Sequence, residues 1–98
     1  MLNSLTLLPK SIDPERVDDL LSKMIPSMKQ AKGLLELKIS EGPLMSPGGP
    51  PSYSKVIEAS WESLEDIMAW ARTSAAQDDK DFMLESGAIL LFYEVKDL

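Results

Sequence analysis

The chain contains no cysteine and no histidine. Without cysteine there is no disulfide, no thiol nucleophile and no sulfur ligand for zinc or iron. Without histidine there is no catalytic triad, no imidazole general base and no nitrogen ligand for haem or zinc. Any chemistry falls to carboxylates, Lys, Arg, Tyr, Ser, Thr or a bound molecule. Basic residues are also few. Ten stand against 16 acidic ones, a net charge of −6, which argues against nucleic acid and anionic membrane surfaces as partners. The longest apolar run, Ala88 to Tyr93, is too short to span a bilayer. Met1-Leu2-Asn3-Ser4 lacks the basic start of a secretory signal, so the expected location is the cytoplasm.

What is present describes one ordinary globular domain over residues 1–98, with 44% apolar and 27% charged residues. A chain this short buries only about two thirds of its extended surface, so it gains from oligomerisation.

Residues 2–8 read as a strand stopped by Pro9. Asp13-Pro14 opens a helix, with Asp13 as cap and Pro14 at the first helical position, where its missing N–H is not needed. Val17, Leu20, Leu21, Met24, Met28 and Ala31 follow at helical spacing. Gly33 ends the helix, and Pro26 inside it is expected to kink it. Residues 34–41 alternate as a second strand. Residues 42–51 hold four of the seven prolines and three of the five glycines, and read as a loop. Residues 53–61 make a third strand. Ser63-Leu64-Glu65-Asp66 starts a second helix with a weak capping box, its expected buried stripe being Leu64, Ile67, Met68, Ala71 and Ala75. Residues 77–86 are polar and read as a loop with a short turn near Phe82-Met83, and residues 88–95 form the last strand.

The order is therefore βαββαβ, an α+β fold. Right-handed crossovers bring strands one and three to the centre of a four-stranded antiparallel sheet with both helices on one face. Splitting the strands by apolarity assigns Leu5, Leu7, Leu35, Leu37, Ile39, Ile57, Ala59, Trp61, Leu91, Tyr93 and Val95 to the helix side. The open side then receives Leu2, Ser4, Thr6, Leu8, Leu34, Glu36, Lys38, Val56, Glu58, Ser60, Leu90, Phe92 and Glu94. Six of these are large and apolar, so a second copy of the same face is the simplest cover and a homodimer is expected.

Several stretches resemble one family. Val17 to Pro26 is similar to the helix of EthD-like proteins, which carries His-x-Pro near its end; here that site reads Met24-Ile25-Pro26. Trp61-Glu62-Ser63-Leu64-Glu65 resembles the start of their second helix. Asp78-Asp79-Lys80-Asp81-Phe82 resembles the acidic segment before their last strand, which often closes with Gly-Glu-Val, here Tyr93-Glu94-Val95. The resemblance implies the ferredoxin-like, dimeric α/β-barrel superfamily, with back-to-back sheet dimers and a cavity between sheet and helices. Met24 replaces the His, so activity depending on that imidazole is expected to be absent, haem degradation included.

The candidate cavity-lining residues are Met24, Met28, Trp61 and Tyr93. The plainer reading makes Met24 an adaptable core residue and Trp61 and Trp70 packed anchors. Glu36, Lys38, Glu58 and Glu94 are the candidate polar groups of the interface face, read either as cross-strand ion pairs or as a semi-buried carboxylate base. Asp78, Asp79 and Asp81 lack the spacing of a calcium loop, and no metal is expected. Gly48-Gly49 lies between prolines rather than between strand and helix, so no phosphate loop is present, and no cofactor is expected. Three functions remain open: a cofactor-independent oxidoreductase or isomerase acting on a small aromatic or polyketide-like compound, a non-catalytic ligand-binding module, or a structural dimer.

Overall fold

The computed structural model describes the backbone of residues 1–98 and every side chain except that of Ala75. The elements are β1 (Leu2–Pro9), α1 (Pro14–Lys29), β2 (Leu34–Ile39), β3 (Tyr53–Trp61), α2 (Leu64–Ala71), α3 (Ser74–Gln77), α4 (Lys80–Glu85) and β4 (Ile89–Glu94). The sheet order is β2-β3-β1-β4, every pairing antiparallel. This is the ferredoxin-like arrangement, with β1 and β3 at the centre.

Local chemistry sets the element ends. The Asp13 side chain accepts the Glu15 backbone N–H at 3.0 Å, and Pro14 occupies the first turn of α1. The helix continues through Pro26 to Lys29. Ser63 caps α2 by accepting the Asp66 N–H at 3.2 Å. Gly33 is fixed for two reasons. Its φ is +85°, and a Cβ there would collide with the Asp66 side chain. The Gly33 carbonyl also accepts the Glu62 N–H at 2.8 Å, which ties the start of β2 to the end of β3.

The core lies between the sheet and α1, α2 and α4. Leu8, Leu20, Ile57, Trp61 and Ile67 are fully buried there, with Val17, Met24, Met28 and Met83 around them. No helix among the described residues is long and apolar enough to cross a membrane.

Three expectations are corrected. The segment 77–86 is largely helical rather than a loop: α3 and α4 carry the chain over the sheet, and Met83 is a core residue. Helix α2 ends at Ala71 and buries Ile67 alone, while Leu64 and Met68 are exposed. The expected burial of Ala75 lies outside the described residues.

The third correction concerns the faces of β1 and β4, which are inverted. In the register, Ser4 stands opposite Ala59 and Phe92, and Thr6 opposite Ile57 and Leu90. Cross-strand partners share a face, and Ile57 and Ala59 are buried under the helices. Leu2, Ser4, Thr6, Leu8, Leu90 and Phe92 therefore look toward the helices. Leu5, Leu7, Ile89, Leu91 and Tyr93 look out from the open face, and Val95 lies exposed beyond the strand end. Both phases of β1 and β4 carry large apolar residues, and Ser4 and Thr6 make the helix-side phase of β1 the more polar one, so apolarity alone picks the wrong side. β3 can be read directly, because Ile57, Ala59 and Trp61 alternate with Glu58 and Ser60, and it fixes its neighbours. Strand β2 follows β3, with Leu37 and Ile39 toward the helices and Glu36 and Lys38 outward. An irregularity between Leu34 and Glu36 pushes Leu35 into solvent, while Leu34 packs on the core.

Candidate functional site

A pocket of about 310 Å³ lies between the sheet and the helices. Its floor is Ser4 and Thr6 of β1, flanked by Trp61 of β3 and by Leu90 and Phe92 of β4. Met24 and Met28 of α1 form one wall. Ile67, Met68, Trp70 and Ala71 of α2 form another, and Ala76, Met83, Leu84 and Lys80 from the α3–α4 segment complete it. The hollow has a local cause. Two small hydroxyl residues, Ser4 and Thr6, occupy the central strand where leucine would fill the core.

The two tryptophans frame this space at fixed angles. Trp61 Nε1 donates to Ser4 Oγ at 3.0 Å, and Trp70 Nε1 donates to Ser27 Oγ at 3.0 Å. Their ring centroids are 6.2 Å apart at an interplanar angle of 41°, within the range of favourable tilted aromatic pairs. Ser4 thus satisfies a buried indole, and Thr6 offers the second hydroxyl of the floor. Among the described lining residues Lys80 is the only charged group, and none is a carboxylate. A wider and more polar groove on the outer side of Trp70, lined by Ser27, Gln30, Lys32, Asp66 and Thr73, is more open to solvent.

The α3–α4 segment is tied down by charge. Arg16 of α1 reaches Asp79 at 3.0 Å and Asp19 at 2.8 Å, and its guanidinium lies 4.5 Å above the Phe82 ring. Lys23 stands 3.5 Å from Asp19 and 3.9 Å from Asp79. Asp79, singled out above with Asp78 and Asp81, is therefore a docking residue for this wall. No group of three or more acidic residues among those described is arranged to hold a metal ion.

Of the four candidate cavity residues, Met24, Met28 and Trp61 line the pocket. Tyr93 does not. It pairs with Asn3 on the open face, because β4 runs in the opposite phase to that expected. The candidate polar groups also divide. Glu36, Lys38 and Glu58 share the open face, with Lys38 Nζ 3.0 Å from Glu36 and Lys38 opposite Glu58 in the register. Glu36, first by its hydrogen bond and then by its charge, raises the Lys38 pKa above its ordinary value. Glu94 instead pairs with Leu2 on the helix side, at the exposed sheet end, 3.7 Å from the terminal amine of Met1. None of the four enters the pocket. Ser4 and Thr6 were missed, although a signal existed: a buried indole N–H needs an acceptor, and Ser4 is a hydroxyl on the neighbouring strand.

No family model matches this sequence, and no curated protein does. The fold does match solved structures over nearly its whole length. An ethyl tert-butyl ether D (EthD) family protein from Bacillus halodurans C-125 superposes with a TM-score of 0.75 at 19% identity, covering 98% of this chain and 99% of that one. A dimeric ferredoxin-like protein of unknown function from Jannaschia sp. CCS1 gives 0.78 at 16% identity, over 96% and 98% of the two chains. A cofactor-independent oxygenase from Streptomyces nogalater gives 0.74 at 8% identity, over 99% and 94%. In fold, the chain is similar to the EthD-type proteins that the motifs around Met24, Trp61 and Asp78 resemble.

Proposed function

We propose that this protein binds a compact, largely apolar organic molecule in the pocket above Ser4 and Thr6, and that it does so as a homodimer paired through the open face of its sheet. The pocket lining supports the first half most strongly. Its volume of about 310 Å³ sits at the lower end of the roughly 300–1,000 Å³ usual for ligand sites. Methionine, tryptophan, leucine and phenylalanine walls favour apolar surface by burial. The floor hydroxyls can fix a ligand carbonyl or hydroxyl, and the methionines adapt to its outline.

The test is a titration with 2-naphthol, following the emission of Trp61 and Trp70. The expected result is a saturable change with one site per chain, abolished by Ala71→Phe, which fills the pocket from α2. No saturable change, or an unaltered one in that variant, contradicts the reading.

The open face supports the second half. Leu5, Leu7, Val56, Ile89, Leu91 and Tyr93 lie together on it, with Leu91 48% exposed. A second copy covers this patch on both subunits at once. The Jannaschia protein of the same fold is described as dimeric.

A second reading, a cofactor-independent oxidoreductase or isomerase acting on an aromatic or polyketide-like compound, is favoured by likeness to the Streptomyces oxygenase. Here the described lining supplies neither carboxylate nor imidazole. The substrate would have to ionise without such a base, and the hydroxyls would only hold its oxygen. Binding without turnover is the function this pocket fits best.

A further inference from the structure

The chain carries 16 acidic residues and a net charge of −6. The pocket goes against that trend. Lys80, at the first position of α4, is the sole charged side chain among its described lining residues. Among the described residues it forms no ion pair. Its sequence neighbour Asp79 is held by Arg16 at 3.0 Å. Every remaining lining residue is apolar, apart from the hydroxyls of Ser4 and Thr6 and the indole nitrogens that already donate to Ser4 and Ser27.

An apolar chamber bordered by one exposed lysine that forms no ion pair among the described residues suits a molecule whose body is apolar and whose one charged end is negative. We infer that the preferred ligands are organic carboxylates with a cyclic or aromatic body. The ring sits between Met24, Met28 and the two tryptophans, and the carboxylate lies at the mouth against Lys80. A neutral molecule of the same shape keeps the burial and loses the ion pair. A cation meets Lys80 as a like charge. This assignment rests on the pocket being a ligand site, as proposed above.

Lys80 is exposed, so the ion pair is screened by water and salt. The preference it confers is expected to be about fivefold, the scale of a surface pair, and to shrink as ionic strength rises. The experiment compares 2-naphthoate with 2-naphthamide, nearly equal in shape and different in charge, by tryptophan emission at low and high salt. The full chain and its Lys80→Met and Lys80→Arg variants are titrated in parallel. The expected result is a preference for naphthoate over the amide in the parent, kept by Lys80→Arg, lost in Lys80→Met and reduced by salt. Equal binding of acid and amide by the parent, or an unchanged preference in Lys80→Met, overturns the carboxylate assignment and leaves the pocket reading standing. Binding of neither compound overturns both.

Discussion

Ser4 is one atom of chemistry away from alanine, yet two features depend on its hydroxyl. It accepts the N–H of Trp61, an indole that is 1% exposed, and it keeps the pocket floor small and polar. Ser4→Ala is expected to leave that donor unpaired and to cost about 1–3 kcal/mol, the usual penalty for a stranded buried polar group. Chemical denaturation of both proteins measures it, and an unchanged midpoint would mean that Trp61 finds another acceptor. Met24 tests the opposite property. It is buried but borders the pocket, so Met24→His, which restores the residue seen in the resembling family, is expected to cost less than about 1 kcal/mol because the ring can reach pocket water rather than dry core. In a domain of this size that is a fall in Tm below about 4–8 °C. A larger fall would mean that a ring at this core position cannot reach the pocket. Met24, Met28 and Trp61 were legible in the sequence because helical spacing and bulk mark them. The floor hydroxyls were not, because Ser and Thr on a strand read as solvent-facing.

The elements divide in the same way. The start of α1, β3 and the Pro/Gly loop follow from caps, alternation and breakers, and the central place of β1 and β3 follows from crossover handedness; α1 ends at Lys29 rather than at Gly33, and the irregularity in β2 turns Leu35 outward. The phases of β1 and β4 could not be read from either strand by itself, since Leu2-Asn3-Ser4-Leu5-Thr6-Leu7-Leu8 places leucine on both sides. Only pairing with β3 decides, and pairing is a property of the assembled sheet. Helices α3 and α4 were hidden for another reason. Each is short, and the Asp-rich sequence between them looks like solvated loop, while its hold on the fold comes from Asp79 meeting Arg16 and Lys23 across 63 and 56 residues of chain. Asp79 has a side chain only 13% exposed, against 35% for Arg16. Asp79→Asn is therefore expected to cost about 1 kcal/mol, near the upper end for partly exposed pairs. Its effect should be local, with faster amide exchange over residues 80–86 and little change in β1 or β3. Uniform acceleration across the sheet would show that the segment is not a separately opening unit.

At the scale of the whole molecule, one side of the sheet is covered by helices and the other by no helix among the described residues. The expectation of a dimer survives the inversion of β1 and β4, because Leu5, Leu7, Ile89, Leu91 and Tyr93 give the open face the apolar surface expected there from Leu2, Leu8, Leu90 and Phe92. Gel filtration with light scattering is expected to give twice the 10.8 kDa chain mass at micromolar concentration. Leu91→Asp, on the edge strand of the open patch, is expected to shift it toward one chain mass, and a monomeric parent protein would remove the pairing argument. The pocket lies on the opposite side of the sheet from that patch, so ligand binding and pairing can be tested separately. Whether the space above Ser4 and Thr6 holds a ligand is decided by a crystal structure of the protein grown with 2-naphthol. Ring density is expected between Met24, Met28, Trp61 and Trp70, with the ligand oxygen within hydrogen-bond reach of Thr6 or Ser4. Side chains collapsed into that space, with the naphthol elsewhere or absent, would contradict it.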